Sequence, residues 1–157
     1  MKAIKGYRSN VGMIPIDTLT NKVLIGRRSN KNPYWQFPQG GIDSGESEQE
    51  AMYRELNEET GLTIEDVQLI AISRKTYTYK TPLRFRKFPK VVGQQQRWFL
   101  LKLNKLPPPG PVENNVEFVE WAYVQPEEAP KLVIPFKRKL YQQLLRDFND
   151  LLLSKHS

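Results

Sequence analysis

Residues Gly40–Leu62 read GGIDSGESEQEAMYRELNEETGL. From Glu46 to Thr60 there is neither proline nor glycine, and Ala51, Met52 and Leu56 supply apolar positions. Gly61 stands where a helix stops, so the stretch predicts a helix over 46–60, entered through Ser44-Gly45 and preceded by a turn at Gly40-Gly41. It is strongly acidic: Asp43, Glu46, Glu48, Glu50, Glu55, Glu58 and Glu59 face one base, Arg54. Glu55, Glu58 and Glu59 are three and four residues apart. On a helix this spacing puts the carboxylates on one face, with neighbouring β-carbons about 5–6 Å apart. Like charges so placed weaken a helix unless a counter-charge intervenes. A hard divalent cation is such a counter-charge, since it prefers carboxylate oxygen and keeps waters that bridge to phosphate. On their own, three such glutamates also describe an exposed acidic helix paired to lysines.

Working outward from this helix, the elements alternate. Tyr34–Pro38 reads as a short strand broken by proline. Tyr7–Ile16 and Lys22–Arg28 form a hairpin across the turn at residues 18–21. On the C-terminal side, Val67–Tyr79 and Gln95–Leu103 read as long strands. Pro107–Pro111 is a stiff connector, because proline suits neither helix nor central strand. Val116–Val124 alternates at first as a half-buried strand does, and Ile134–Leu153 carries apolar residues near helical spacing, as a long closing helix. Mixed strands with one central and one terminal helix predict an α/β/α sandwich, a mixed sheet with helices on both faces. All 157 residues fit one domain.

Charge is unevenly placed. The chain carries a net charge of +7, yet it holds the acidic island above. From Val67 to Val112 there is no acid but ten bases, among them Arg74, Lys75, Lys80, Arg84, Arg86, Lys87 and Lys90. An acidic island in a basic protein suggests cation binding beside a polyanion site; solvated surface charge is the plainer reading for most of these lysines. There is no cysteine and the single histidine is His156, which excludes a disulfide scaffold, cysteine-ligated zinc and histidine-based catalysis. No apolar run approaches the roughly 18 residues of a membrane span. The opening residues lack a secretory core. A cytoplasmic protein with no membrane partner is expected.

The pattern G-x5-E-x7-R-E-L-x-E-E-x-G-L, filled by Gly40, Glu46, Arg54, Glu55, Leu56, Glu58, Glu59, Gly61 and Leu62, resembles the Nudix box at every defining position. The resemblance implies a Nudix fold, whose strand–loop–helix unit presents the glutamates. It also implies hydrolysis of a nucleoside diphosphate linked to another moiety, with water attacking phosphorus. In that reading Glu55, Glu58 and Glu59 are ligands of a divalent metal: Mg2+ first, with Mn2+ or Zn2+ as alternatives. One glutamate must take the proton of the attacking water; the role falls to Glu58 or to an acid outside the box. Arg54 pairs with a box glutamate and fixes its rotamer, Glu46 is a structural partner near the helix start, and Gly40 and Gly41 allow the tight turn through their φ freedom.

Further segments are similar to one branch of that family, the bacterial RNA pyrophosphohydrolases: residues 6–12 (GYRSNVG), 35–41 (WQFPQGG), 51–56 (AMYREL), 93–101 (GQQQRWFLL), Glu117-Phe118 with Trp121, and 136–138 (FKR). This implies removal of pyrophosphate from the 5′-triphosphate end of RNA, initiating its decay. The alternatives are a dinucleoside polyphosphate hydrolase such as one acting on diadenosine tetraphosphate and, from another class, an inactive RNA-binding scaffold. Glu117 aligns with a glutamate that completes the metal site or serves as base. Arg8 and Arg28 are candidates for terminal phosphates, since the guanidinium fork matches phosphate geometry. Lys137 is a candidate for a backbone phosphate. Tyr77 and Phe136 are evenly balanced between stacking unpaired bases and packing the core, whereas Trp35 and Phe37 belong to the core. The chain ends without the basic tail of longer members, which predicts fewer phosphate contacts. A monomer is the expected state.

Overall fold

The computed structural model describes residues 1–29, 31–106 and 118–154, the last four as backbone only. Alternation along its two long strands decides how the sheet is covered. In β1 (Tyr7–Asp17), Val11 and Met13 belong to one apolar cluster and Ile14 and Ile16 to another. The later strand Gly93–Leu103 divides the same way, with Phe99, Leu101 and Leu103 in the first cluster and Trp98 and Leu100 in the second. Successive side chains leave a strand on opposite faces, so both faces are buried. Ala51, Met52 and Leu56 of α1 (Glu48–Thr60) cover the first face. Leu140, Tyr141, Leu144 and Phe148 of the terminal helix Arg138–Ser154 cover the second. The expected α/β/α sandwich is what forms.

The remaining elements are β2 (Lys22–Arg27), β3 (Trp35–Gln36), β4 (Gln39–Gly41), β5 (Val67–Ile72), β6 (Tyr77–Lys80), β7 (Gly93–Leu103), β8 (Glu120–Val124), the single-turn helix α2 (Ala129–Leu132) and the terminal α3 (Arg138–Ser154). β1 runs parallel to β7 from Tyr7↔Gly93 to Ile16↔Lys102. β1 closes the expected hairpin with β2 at Ile16↔Val23, while its Asn10–Gly12 end pairs antiparallel with β4. β7 likewise takes β5 along its second half and β6 along Gly93–Gln96. β2 carries β3 and β8. Both central strands therefore change partner midway, and β4 and β6 flank the same end of the β1–β7 pair.

Four expected boundaries move, each for a local reason. The Gly40–Gly41 pair lies in β4, hydrogen-bonded across to β1, rather than in a turn. The strand expected over 67–79 breaks into β5 and β6. The register of β5 shifts between Leu69 and Ala71, and the chain then bends at Arg74 and Lys75, where the Ser73 and Arg74 carbonyls accept from the Arg97 guanidinium at 3.0 and 2.9 Å. α1 starts at Glu48, because Ser47 and Glu50 form a reciprocal capping box. Its other end is as read: Gly61 adopts φ +78° and its N–H donates to the Asn57 carbonyl. The closing helix starts at Arg138 instead of Ile134, since Pro135 disfavours helical geometry in the residue before it, and Ile134 is extended at ψ 136°. The Pro107–Pro111 connector and the beginning of the strand expected at 116 lie outside the described residues. No helix among the described residues is long and apolar enough to cross a membrane.

Candidate active site

Arg54 ties the α1 acids to the strand before them. Its Nε and Nη2 donate to both oxygens of Glu46 at 2.6 and 2.9 Å, and Nη2 also donates to the Gly41 carbonyl at 2.8 Å. Nη1 reaches Glu55 Oε1 at 2.9 Å and, more loosely, Glu58 at 3.3 and 3.4 Å. Bidentate charge-assisted contacts of this kind fix geometry as well as charge. The hydrogen bond from Arg54 holds the Glu46 carboxyl below its ordinary range, and the Asp43 N–H, donated at 2.9 Å, adds to this. The guanidinium itself is pushed further up, chiefly by Glu46 and, against the cost of burial, by Glu55. The expected pairing of Arg54 with a box glutamate, and of Glu46 as its structural partner, is thus the observed geometry.

The glycine pair has a role different from the expected one. Neither Gly40 nor Gly41 has a positive φ. What they supply is room: a Cβ on Gly40 would lie 2.0 Å from Cδ of Glu55, and one on Gly41 would lie 2.2 Å from Nη2 of Arg8. The carboxylate of Glu55 and the guanidinium of Arg8 thus rest on adjacent bare Cα atoms, at one rim of a cleft.

That cleft, about 440 Å3, brings together Arg8, Arg28, Glu55, Tyr79, Phe136 and Lys137 from β1, the chain after β2, α1, β6 and the turn before α3. A chain of polar side chains crosses its floor. Gln96 Nε2 donates to Asn10 Oδ1 at 2.8 Å and to Gln39 Oε1 at 3.1 Å; Lys137 Nζ approaches that same oxygen at 3.5 Å. Trp98 Nε1 donates to Gln96 Oε1 at 3.1 Å, which anchors the chain in the core. Lys137 is only 6% exposed, and its Nζ lies 5.0 Å from the centre of the Tyr79 ring. Burial, reinforced by Arg28, pushes its ammonium down to about 8. Burial pushes the Tyr79 hydroxyl up, against a hydrogen bond with Gln39 and the charges of Arg28 and Arg8.

Of the two aromatic residues singled out, Phe136 is in the cleft wall, 5.9 Å from both Tyr79 and Phe85 between ring centres. Tyr77 is not. It is 5% exposed, belongs to the cluster under α3 and hydrogen-bonds Asp147 through its hydroxyl, so its ring is closed to a base. Tyr79, two residues on and at the cleft end of the same strand, takes that place. Arg86 and Lys87 also line the cleft, as do Gln39 and Asn10. Glu117 lies outside the described residues.

The glutamates differ in setting. The Glu58 side chain is 57% exposed and that of Glu55 12%, while Glu59 is buried at 2%. Among the described residues, no three acidic or imidazole side chains are already gathered as a cation site. The donor chemistry nevertheless fits a hard divalent ion. Carboxylate oxygens are what such an ion prefers, the bare Cα of Gly40 leaves the Glu55 carboxylate its place, and Glu58 is held to Arg54 only by long, solvent-exposed contacts that cost little to release.

A mixed sheet between helices, with a glutamate-bearing helix docked through an arginine onto a glycine strand, is the architecture of the NUDIX domain. That family matches residues 6–144, and the chain belongs to it. Among its relatives, the RNA pyrophosphohydrolase of Edwardsiella ictaluri is 40% identical over 154 residues, covering 95% of this chain and 86% of that one. The enzyme of the same name from Legionella pneumophila is 41% identical over 152 residues, covering 94% and 86%. Solved structures with the same fold include the Escherichia coli dihydroneopterin triphosphate pyrophosphohydrolase, with a TM-score of 0.72 at 22% identity over 90% of this chain and 98% of that one. Another is the Caenorhabditis elegans Ap4A hydrolase in a binary complex, at 0.68 and 23% over 94% and 98%.

Proposed function

We propose that this protein is a divalent-metal-dependent pyrophosphohydrolase that removes pyrophosphate from the 5′-triphosphate end of RNA, leaving a 5′-monophosphate. The observation that carries the reading is the composition of one cleft: a box glutamate and Arg8 at one rim, Arg28 and Lys137 beside them, and the Phe136–Tyr79 rings as a wall. Similarity to RNA pyrophosphohydrolases over 94–95% of the chain supports the same reading. Glu55, Glu58 and Glu59 are the residues to hold the metal, Mg2+ in the first place. When bound, the ion supplies neutralisation of the phosphate oxygens and a lowered pKa for a coordinated water.

The protein's own groups do the rest. Arg8, Arg28 and Lys137 hold the triphosphate against the floor, and the Gln39–Gln96–Asn10 chain fixes the approach of Lys137. Glu58 or Glu117 accepts the proton of the attacking water as oxygen adds to phosphorus and the bond to the bridging oxygen breaks. Arg54 acts as a positioning residue: held to Glu46 and the Gly41 carbonyl, it sets where Glu55 points. Phe136 and Tyr79 give the first unpaired bases a surface to stack on. The whole chain, 1–157, serves as a single catalytic domain, monomeric and working in the bacterial cytoplasm.

The test compares kcat/KM for a short 5′-triphosphate RNA and for diadenosine tetraphosphate, in Mg2+. Preference for the RNA by orders of magnitude, with a 5′-monophosphate product, is expected. Preference for the dinucleotide would leave the box chemistry in place and remove the RNA reading. Binding of RNA with no metal-dependent release of phosphate would make the chain a binding scaffold.

A further inference from the structure

The segment between β6 and β7, residues 81–92, reads TPLRFRKFPKVV. It stands as a closed loop. The Thr81 N–H donates to the Val92 carbonyl at 2.9 Å, the Val92 N–H donates to the Gly6 carbonyl at 2.7 Å, and Arg86 Nε donates to the Thr81 carbonyl at 2.8 Å. Leu83, Phe85 and Phe88 are 76%, 46% and 65% exposed, an apolar surface that a folded domain seldom presents without use. They alternate with Arg84, Arg86, Lys87 and Lys90, and none of these four cations forms an ion pair with a described residue. The loop forms one side of the active-site cleft: Phe85, Arg86, Lys87 and Phe88 line it, whereas Leu83, Arg84 and Lys90 lie outside it. The Phe85 ring stacks on Phe136 at 5.9 Å and 30°, and the Arg84 guanidinium lies over the Phe85 ring at 4.9 Å. A ladder thus leads from Tyr79 through Phe136 and Phe85 to Arg84, out of the cleft and onto open surface.

From this we infer that the 81–92 loop is a track that leads the RNA chain out of the cleft, with Phe88 under a base at the cleft edge and Arg84 and Lys90 on backbone phosphates beyond it. The inference rests on the reading of the cleft as an RNA 5′-end site. Cations interleaved with exposed rings are what single-stranded nucleic acid binds, because phosphates and base faces alternate along it. A dinucleotide filling the cleft gains nothing from Arg84 or Lys90, which lie beyond its walls. The loop therefore separates a chain from a small polyphosphate, a distinction the glutamates cannot make.

The experiment measures anisotropy of a labelled twelve-nucleotide 5′-monophosphate RNA, the reaction product, which does not turn over during the measurement, across a salt series. For Arg84→Ala/Lys90→Ala the slope of log Kd against log salt falls by about 1.4, at roughly 0.7 per single-strand phosphate contact. Phe88→Ala weakens binding by roughly tenfold with the slope unchanged, since stacking releases no counterions. Hydrolysis of a triphosphorylated dinucleotide by the double variant stays at the wild-type level. An unchanged slope in the double variant overturns the track. So does a slope that moves only with Lys139→Ala, on the opposite side of Phe136 beside Gln143. Failure of the wild type to hydrolyse triphosphate RNA while the product still binds along the loop overturns the proposed reaction and leaves the track standing.

Discussion

The two rims of the cleft are built by opposite means. On the acidic rim one guanidinium, that of Arg54, ties Glu46, Glu55, Glu58 and the Gly41 carbonyl together, and the glycine pair leaves no spare volume beneath Glu55 and Arg8. On the basic rim Arg28 is exposed, Lys87 lines the wall without an ion pair to a described residue, and the loop is pinned mainly at its base. The difference follows from the task. A phosphorus atom has to be met within a fraction of an ångström, so the groups that polarise it are fixed in advance. An RNA chain of any sequence has to be met by surfaces that adapt, so its cations wait in water.

The largest effect that sharpens this contrast is Glu58→Gln. With the side chain mostly exposed and its ties to Arg54 long, kcat/KM should fall by about a thousandfold, within the range of a lost general base or ligand, while the melting temperature holds. A variant that kept its rate would break the assignment of the acidic rim as the chemical one. Next comes Gly40→Ala. Its Cβ displaces the Glu55 carboxylate, and a loss on the order of 10- to 100-fold, the usual cost of disturbing a ligand's support, is expected in kcat more than in KM. If KM alone moved, Gly40 would belong to recognition.

On the basic rim Phe136→Ala should lower kcat/KM for RNA by about tenfold through lost stacking, and Tyr77→Phe, which loses only the Asp147 contact, should leave turnover unchanged. Equal losses would mean the ring wall is structural. A smaller effect follows from Lys137. Its charge is present below about 8 and fades above it, so KM for RNA should rise a few-fold on alkaline titration and Lys137→Arg should flatten that limb. The sign for folding is opposite. The native ammonium titrates below the ordinary lysine value, so the unfolded chain holds more protons between the two and stability rises with pH across that window. The smallest change is Ser47→Ala: loss of the cap costs about 1 kcal/mol by denaturant titration, with kcat unaffected.

How far the sequence carried these assignments depends on the range of the forces. The α1 acids, Arg54, the helix stop at Gly61 and the two-sided covering of the sheet follow from local spacing, and the structure has them. Tyr77 and Tyr79 share a strand and a parity, so no periodicity tells which one reaches the cleft. That is decided by the bend at Arg74 and Lys75 and by pairing of Tyr79 with Gln94, more than ten residues away. The space-making role of Gly40 and Gly41 is equally non-local, because it exists only once Glu55 and Arg8 arrive from other elements. Gln39, Gln96 and Asn10 carry no signal singly; they become a floor only when β1, β4 and β7 are side by side.

The floor hydrogen bond from Gln96 to Asn10 spans 86 residues, along a parallel ladder with no hairpin to zip it. Long-range parallel pairing is slow, since the loop entropy is lost before the contacts form. During synthesis the edge of β1 that faces β7 therefore waits unpaired until the ribosome has released the chain through Leu103, although β2 and β4 are already there to take its other edge. The cleft takes Phe136 and Lys137 from the turn before α3, so it is complete only after that turn too has left the ribosome.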